Sequence, residues 1–269
     1  MSKVRAYLAF ARNSFLNMLA YRLRYYSGFI NYLAFVSVNY FIWKAVYHSE
    51  TENIIINGYS LTEMITYITV GWISRTLYFS NIDYTLNTMV ETGEVSMHLI
   101  RPVNIQLMLL SQSLGELFFR LFFLFVPVAL TFILVFPINP PADLMGFVFY
   151  IWSIFAAFII LSQINFIVGL SAFYLQSIWG IIRAKFYIIQ LCSGLLLPIT
   201  FFPLWFQSIL NYLPFKYISF IPLQFYLGKI PYELSFTVMT EQILWILILV
   251  LIGNMVWKVA VSKLVVQGG

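Results

Sequence analysis

The sequence predicts an all-α integral membrane protein. It has six transmembrane helices, an amphipathic helix before the first, and a broken, re-entrant outer segment before the last. Three observations carry this expectation. Only 9% of the 269 residues are Asp, Glu, Lys or Arg, against about 25% in a soluble chain. Apolar residues make up 61% and aromatic residues 19%. The apolar residues also fall in runs close to the ~20 residues that cross a hydrocarbon core. Such runs must be helical, because lipid offers no partner to an unpaired backbone group. They are too long and continuous for barrel strands, which alternate over about 10 residues. No polar stretch is long enough for a separate soluble domain, so residues 1–269 read as a single transmembrane domain.

Taken in order, residues 1–24 form the basic N-terminal element. Val4, Leu8, Ala11, Phe15 and Leu19 recur at steps of three and four, while Lys3, Asn13, Asn17 and Arg24 point elsewhere. This pattern suits a helix lying in the inner interface or extending the first span. The apolar run that follows is too long for a signal peptide and lacks a small-residue cleavage site. The expected spans cover 27–47, 61–81, 118–136, 145–170, 184–202 and 241–257. Between the second and third lies the longest polar insertion, 82–106. Between the fifth span and the last, Pro198, Pro203, Pro214, Pro222 and Pro231 fall in an aromatic stretch. Proline removes a backbone donor, so 203–235 is expected to be short pieces that enter the outer leaflet and return.

Charge placement orients the chain. With the N-terminus inside, the inner side receives Lys3, Arg5, Arg12, Arg22, Arg24, Arg101, Arg120, Arg183, Lys185, Lys258 and Lys263, with Arg75 in the inner half of span two. The outer side receives Lys44, Lys216 and Lys229, beside the acidic loop residues Glu50 and Glu52. The split of 12 against 3 follows the positive-inside rule and puts both termini in the cytoplasm. The net charge of +5 is therefore topological and does not mark a nucleic-acid surface.

Catalytic patterns are absent from the sequence. It contains no phosphate loop, no His-Glu-x-x-His and no Gly-x-Ser-x-Gly elbow. Two histidines, His48 and His98, with the single Cys192 make no usual zinc site. Charges inside spans are functional hypotheses by default. Arg75 is one, facing either a hydrated cavity or the inner interface. Glu116 and Arg120, four residues apart, are expected to pair near the inner start of span three. No Asp or Glu is expected near mid-membrane, which argues against proton coupling. Thr62, Thr66, Thr69, Thr76 and Ser80 share one face of span two, where they either line a substrate path or pack against a neighbouring helix. In the inner loop, 92–99 reads as a short helix with Glu91 and Glu94 near its start. Met97, Leu99 and Ile100 give it an apolar side, and Arg101-Pro102 end it. Such a helix is suited to a soluble partner, or to lying on lipid.

The basic N-terminus, the string Glu91-Thr92-Gly93-Glu94-Val95-Ser96-Met97-His98-Leu99-Ile100-Arg101-Pro102, and the stretch from Gly194-Leu195-Leu196-Leu197-Pro198 through Phe202-Pro203-Leu204-Trp205 resemble the permease subunits of ABC-2-type exporters. The order and spacing of these pieces carry the resemblance across the chain. It implies a bacterial cytoplasmic-membrane permease, paired with a second copy or a related permease. It also implies a separate cytoplasmic ATP-binding subunit that carries ATP and Mg, with no cofactor in this chain. Glu91, Gly93, Glu94, Met97, His98, Arg101 and Pro102 would form the ATPase-coupling interface. Spans one, two and five would face the dimer interface and pathway, placing Thr62, Thr66, Thr69, Arg75 and Thr76 as pathway candidates. Two other classes stand as alternatives: a membrane-embedded lipid-modifying enzyme, which would need clustered acid, His or Arg groups at one interface that the sequence does not show, and a secondary transporter.

Overall fold

A computed structural model describes residues 3–47, 54–100, 103–175 and 177–262 of the chain. His48, Glu50, Glu52, Arg101, Pro102 and Lys263 lie outside the described residues, as do the side chains of Lys3 and Arg24. Among the described residues the regular structure is helical, apart from one isolated bridge between Ile56 and Tyr59. The helices are α1 (Lys3–Ala20), α2 (Leu23–Val46), α3 (Leu61–Tyr78), α4 (Ile82–Glu91), α5 (Val95–Leu99), α6 (Ile105–Arg120), α7 (Val126–Val135), α8 (Leu144–Gly169), α9 (Trp179–Cys192), α10 (Leu204–Asn211), α11 (Phe220–Tyr226) and α12 (Tyr232–Val261).

Among the described residues, four stretches are long and apolar enough to cross a membrane: Gly28–Val46, Ile105–Val135, Leu144–Phe173 and Tyr232–Val261. In place of the expected second and fifth spans stand shorter helices that are not among these four, 18 residues in α3 and 14 in α9.

Span three departs most from expectation. Its helix begins at Ile105, where Asn104 caps it by accepting a hydrogen bond from the Leu107 amide (3.0 Å). The stretch runs 31 residues to Val135, or about 46 Å at 1.5 Å per residue. Glu116 and Arg120 are therefore not at its start. They stand about 17 and 23 Å along it, with Arg120 only 4% exposed. Between α6 and α7 the backbone widens into a π-helical turn at Leu121–Phe125. Pro127 explains the widening, since it has no amide to donate and its ring crowds the carbonyl one turn earlier.

The N-terminal helix is docked lengthwise on α6. A Cβ added to Gly115 would lie 1.9 Å from the Ala11 carbonyl oxygen, so only glycine permits this approach. The Tyr7 hydroxyl accepts from the Asn104 amide (3.1 Å), and the Phe15 and Phe119 rings meet edge to face. The apolar stripe read from the sequence is divided. Ala11, Phe15 and Leu19 are half-buried, while Val4 and Leu8 remain exposed.

At the centre stands α3, with 14 of its 18 residues buried. A reciprocal cap starts it: Ser60 Oγ accepts from the Glu63 amide and the Glu63 carboxylate accepts from the Ser60 amide. Tyrosine hydroxyls join it to its neighbours. Tyr67 donates to the Gly194 carbonyl (2.6 Å), Tyr78 pairs with Ser219 (2.9 Å), and Ser74 pairs with Tyr150 of α8 (2.7 Å). Glutamines join α8 to its other neighbours. Gln106 of α6 donates to Gln163, and Gln242 of α12 donates to Ser153.

The proline-rich stretch is in short pieces, as the prolines dictate: a 3-10 turn at Ile199–Phe201, α10, a second 3-10 turn at Pro214–Tyr217, and α11. Pro231 then opens α12, nine residues before the expected span. Glu241 thus stands inside that helix, where its carboxylate accepts from the Tyr217 hydroxyl (2.5 Å).

Candidate functional site

The last turn of α3 carries Arg75 into a cavity between α3, α8 and α9. Its guanidinium carbon lies 4.9 Å from the Phe186 ring centre, 5.2 Å from Trp72 and 5.6 Å from Phe79. Cation–π contacts of this kind contribute about 0.5–2 kcal/mol each, the more so as water is excluded. Among the described residues, no carboxylate lies within ion-pair distance of Arg75. The cavity holds about 40 Å³ and is lined by Ser80, Asn165, Lys185, Gln190 and Ser193 with apolar walls from Leu161, Ile189, Leu195 and Ile218.

A buried ion pair closes one side of this cavity. Lys185 Nζ donates to Asp83 Oδ2 and to Asn165 Oδ1, both at 2.5 Å. The Asn165 amide donates to the Ser80 carbonyl (2.7 Å). Asp83 is 2% exposed, and Gly169 lets α4 approach so closely that a Cβ there would be 3.0 Å from Asp83 Cα. Three helices, α4, α8 and α9, are thereby tied at one point. Removing one partner of a buried pair leaves an uncompensated charge and costs about 3–5 kcal/mol.

On the other side of Phe79 lies a second, larger cleft of about 290 Å³, lined by Asn31, Tyr32, Thr76, Asn81, Glu116 and Arg120. Arg120 faces the same Phe79 ring (5.8 Å) and is 3.8 Å from Glu116. One phenylalanine therefore separates two arginine-bearing spaces.

The threonine stripe does not act as a unit. Thr62 is exposed at the start of α3. Thr66 is buried, donating to the Thr62 carbonyl and accepting from the Asn139 amide. Thr69 is buried within the core, and its hydroxyl has no partner among the described residues. Thr76 lines the larger cleft. Of the pathway candidates, Arg75 and Thr76 border open space, and they border different spaces.

The inner loop is more ordered than its polarity suggested. α4 packs against α8 through buried Ile82, Leu86 and Met89. The chain breaks at Gly93, whose φ of +74° favours glycine, and α5 follows. Buried Val95 anchors this short helix, while Glu91, Gly93, Glu94 and Met97 are exposed. Asn87 donates to the Glu91 carboxylate (2.9 Å), and Glu94 lies 3.7 Å from His98. Ile100 is 86% exposed. Arg101 and Pro102, the remaining coupling candidates, lie outside the described residues.

A sequence profile described as ABC-2 family transporter protein matches residues 33–268. The chain belongs to the ABC-2 transporter family. It is thus a multi-pass membrane permease of an ABC transporter, in a family of transport components that are generally not catalytic. No curated protein and no solved structure matches it.

Within this ABC-2 permease, sequence reasoning missed the Asp83–Lys185–Asn165 cluster. Asp83 and Lys185 were both expected on the inner side, but nothing joins two residues 102 positions apart in a single sequence. Asn165 and Gln163 did carry a signal, since polar side chains inside an apolar span need partners.

Proposed function

We propose that this chain is the transmembrane permease subunit of an ATP-driven exporter, working as a dimer and coupled to separate ATP-binding subunits in a bacterial cytoplasmic membrane. In this reading the chain crosses six times with both termini inside. α3 and α9 supply the two crossings beyond the four long stretches, and α10 with its flanking turns dips into the outer leaflet. The coupling element is α5. The observation that carries the assignment is a five-residue helix pinned by buried Val95 that offers Met97, Leu99 and Ile100 to solvent beside Glu91 and Glu94. An exposed apolar face rimmed by acid fits a groove on a soluble partner. α4 joins α5 to the Asp83–Lys185 pair, so movement of the docked helix would bear directly on α8 and α9.

Co-purification tests this. The tagged chain should recover an ABC ATP-binding subunit from its native membrane. Charge reversal of Glu91 or Glu94 combined with Met97→Asp should reduce that recovery at least tenfold and lower transport with it. Full retention of the complex and of ATP-dependent transport would remove α5 from the coupling role.

A further inference from the structure

The geometry points to a binding site for the anionic headgroup of an amphiphile in the cavity beneath Arg75. Charge on the page supports it first. The inner half of the bundle holds Arg75, Arg120 and Lys185 against Asp83 and Glu116. Lys185 is paired with Asp83 and Arg120 with Glu116, so of the described inner cations that are not exposed, Arg75 is left without a carboxylate. It is braced by three rings that supply no hydrogen-bond acceptor. Neither Arg75 nor Gln190 makes a side-chain hydrogen bond to another described residue, and both line the cavity. A guanidinium held in place with its planar fork open is the group best suited to phosphate or carboxylate.

Size and surroundings narrow the ligand. About 40 Å³ admits roughly three waters or one small oxyanion. Away from Arg75 the lining mixes polar groups, among them Asn165, Lys185 and Gln190, with the apolar side chains of Leu161, Ile189 and Leu195. The α9 wall is lightly seated: among its 14 residues only Ile189 is buried, while Tyr187, Ile188 and Leu191 are exposed. An alkyl chain leaving the cavity past α9 would meet an apolar surface at once. The chemistry recognised is therefore a single-anion headgroup on a hydrocarbon tail, either a lipid of the bilayer or the transported cargo. Only the purpose of this binding rests on the permease reading.

The experiment uses the full chain in phosphatidylcholine nanodiscs, without ATP or an ATPase, so that it can fail independently of the coupling assignment. Dodecyl phosphate is the probe, and dodecyltrimethylammonium is the control of equal tail length. The wild-type chain should bind the phosphate at least tenfold more tightly. Arg75→Gln should abolish that preference, Arg75→Lys should keep part of it, and Arg183→Gln on the exposed face of α9 should leave it intact. Equal affinity of the wild-type chain for both probes overturns the proposal even if Arg75→Gln fails to fold. An undiminished preference in folded Arg75→Gln overturns it too. Repeating the titration with phosphatidylglycerol added assigns the source. Competition means that the site takes a bilayer lipid, and no competition reserves it for free amphiphile; either result supports the site.

Discussion

At the scale of single residues, the informative positions are those where charge or its absence is costly. Asp83 and Lys185 are both largely buried and directly bonded. Asp83→Asn is expected to destabilise the protein by about 3 kcal/mol or more, because Lys185 would keep its charge without a counter-charge. Asp83→Leu with Lys185→Met should recover most of that loss, and thermal unfolding of the wild type, Asp83→Leu, Lys185→Met and the double variant, beside Asp83→Asn, reads the difference. If the double variant is no better than Asp83→Asn, the pair is not what holds the three helices. Gly115 shows the opposite constraint, where absence of a side chain is required. Gly115→Val should push α1 from α6 at a cost of about 1–3 kcal/mol, seen as faster proteolysis of the first 20 residues. Neither constraint was legible beforehand. Arg75 was marked by its place in an apolar run, whereas a glycine in a helix and an aspartate in a polar loop look ordinary until their neighbours are known.

At the scale of elements, hydrophobic run length located the helices well and their ends poorly. The proline clusters foretold a chain in pieces after α9, and the pieces are there. The inner loop was misjudged in extent, since polar residues can belong to a buried helix when other helices receive them. Gln106 was expected in the loop and is instead bonded to Gln163 inside the bundle. Helix starts hold a testable consequence. Asp143 caps α8 by accepting from the Gly146 amide (2.6 Å), and that bond, with help from the Tyr232 hydroxyl, holds its carboxyl below the usual carboxylate range. A depressed folded-state value means that the cap's stabilisation is present above the carboxyl's ordinary pKa and is lost as pH falls through the depressed one. Asp143→Asn keeps a cap but cannot titrate. Its thermal stability should therefore be flatter than wild type between neutral pH and about pH 3, and an unchanged slope would exclude Asp143 from the acid response.

At the scale of the whole molecule, the protomer leaves two helices with little of their surface covered. Only 6% of the window spanning Gly28–Val46 is buried, and α9 buries one residue. Lipid can cover such faces, and so can a second copy. If the permease works as a dimer through spans one and five, Tyr187→Cys on α9 should form cross-linked dimers in membranes. Leu134→Cys on α7, 85% exposed in the protomer, should not. Equal cross-linking at both positions would mean random collision. The family resemblance implied that spans one, two and five face such an interface. The sequence left the threonine face of α3 open to a path or to helix packing, and Thr66, Tyr67 and Tyr78 bond within the chain.

The contact between Ala11 and Gly115 also sets an order of events during synthesis. The two residues are 104 positions apart, and at about 5–20 residues per second the ribosome needs roughly 5–20 s to travel from one to the other. Throughout that interval α1 exists and its berth does not. A helix whose Arg5 and Arg12 flank Leu8 on one face can wait on the bilayer surface, held by its apolar stripe and by its charge. If α1 waits there, its stripe serves that first stage, and the notch at Gly115 marks where it ends. Lengthening the delay before residue 115 is made should cost little, while deleting the arginines should leave α1 adrift before its partner arrives.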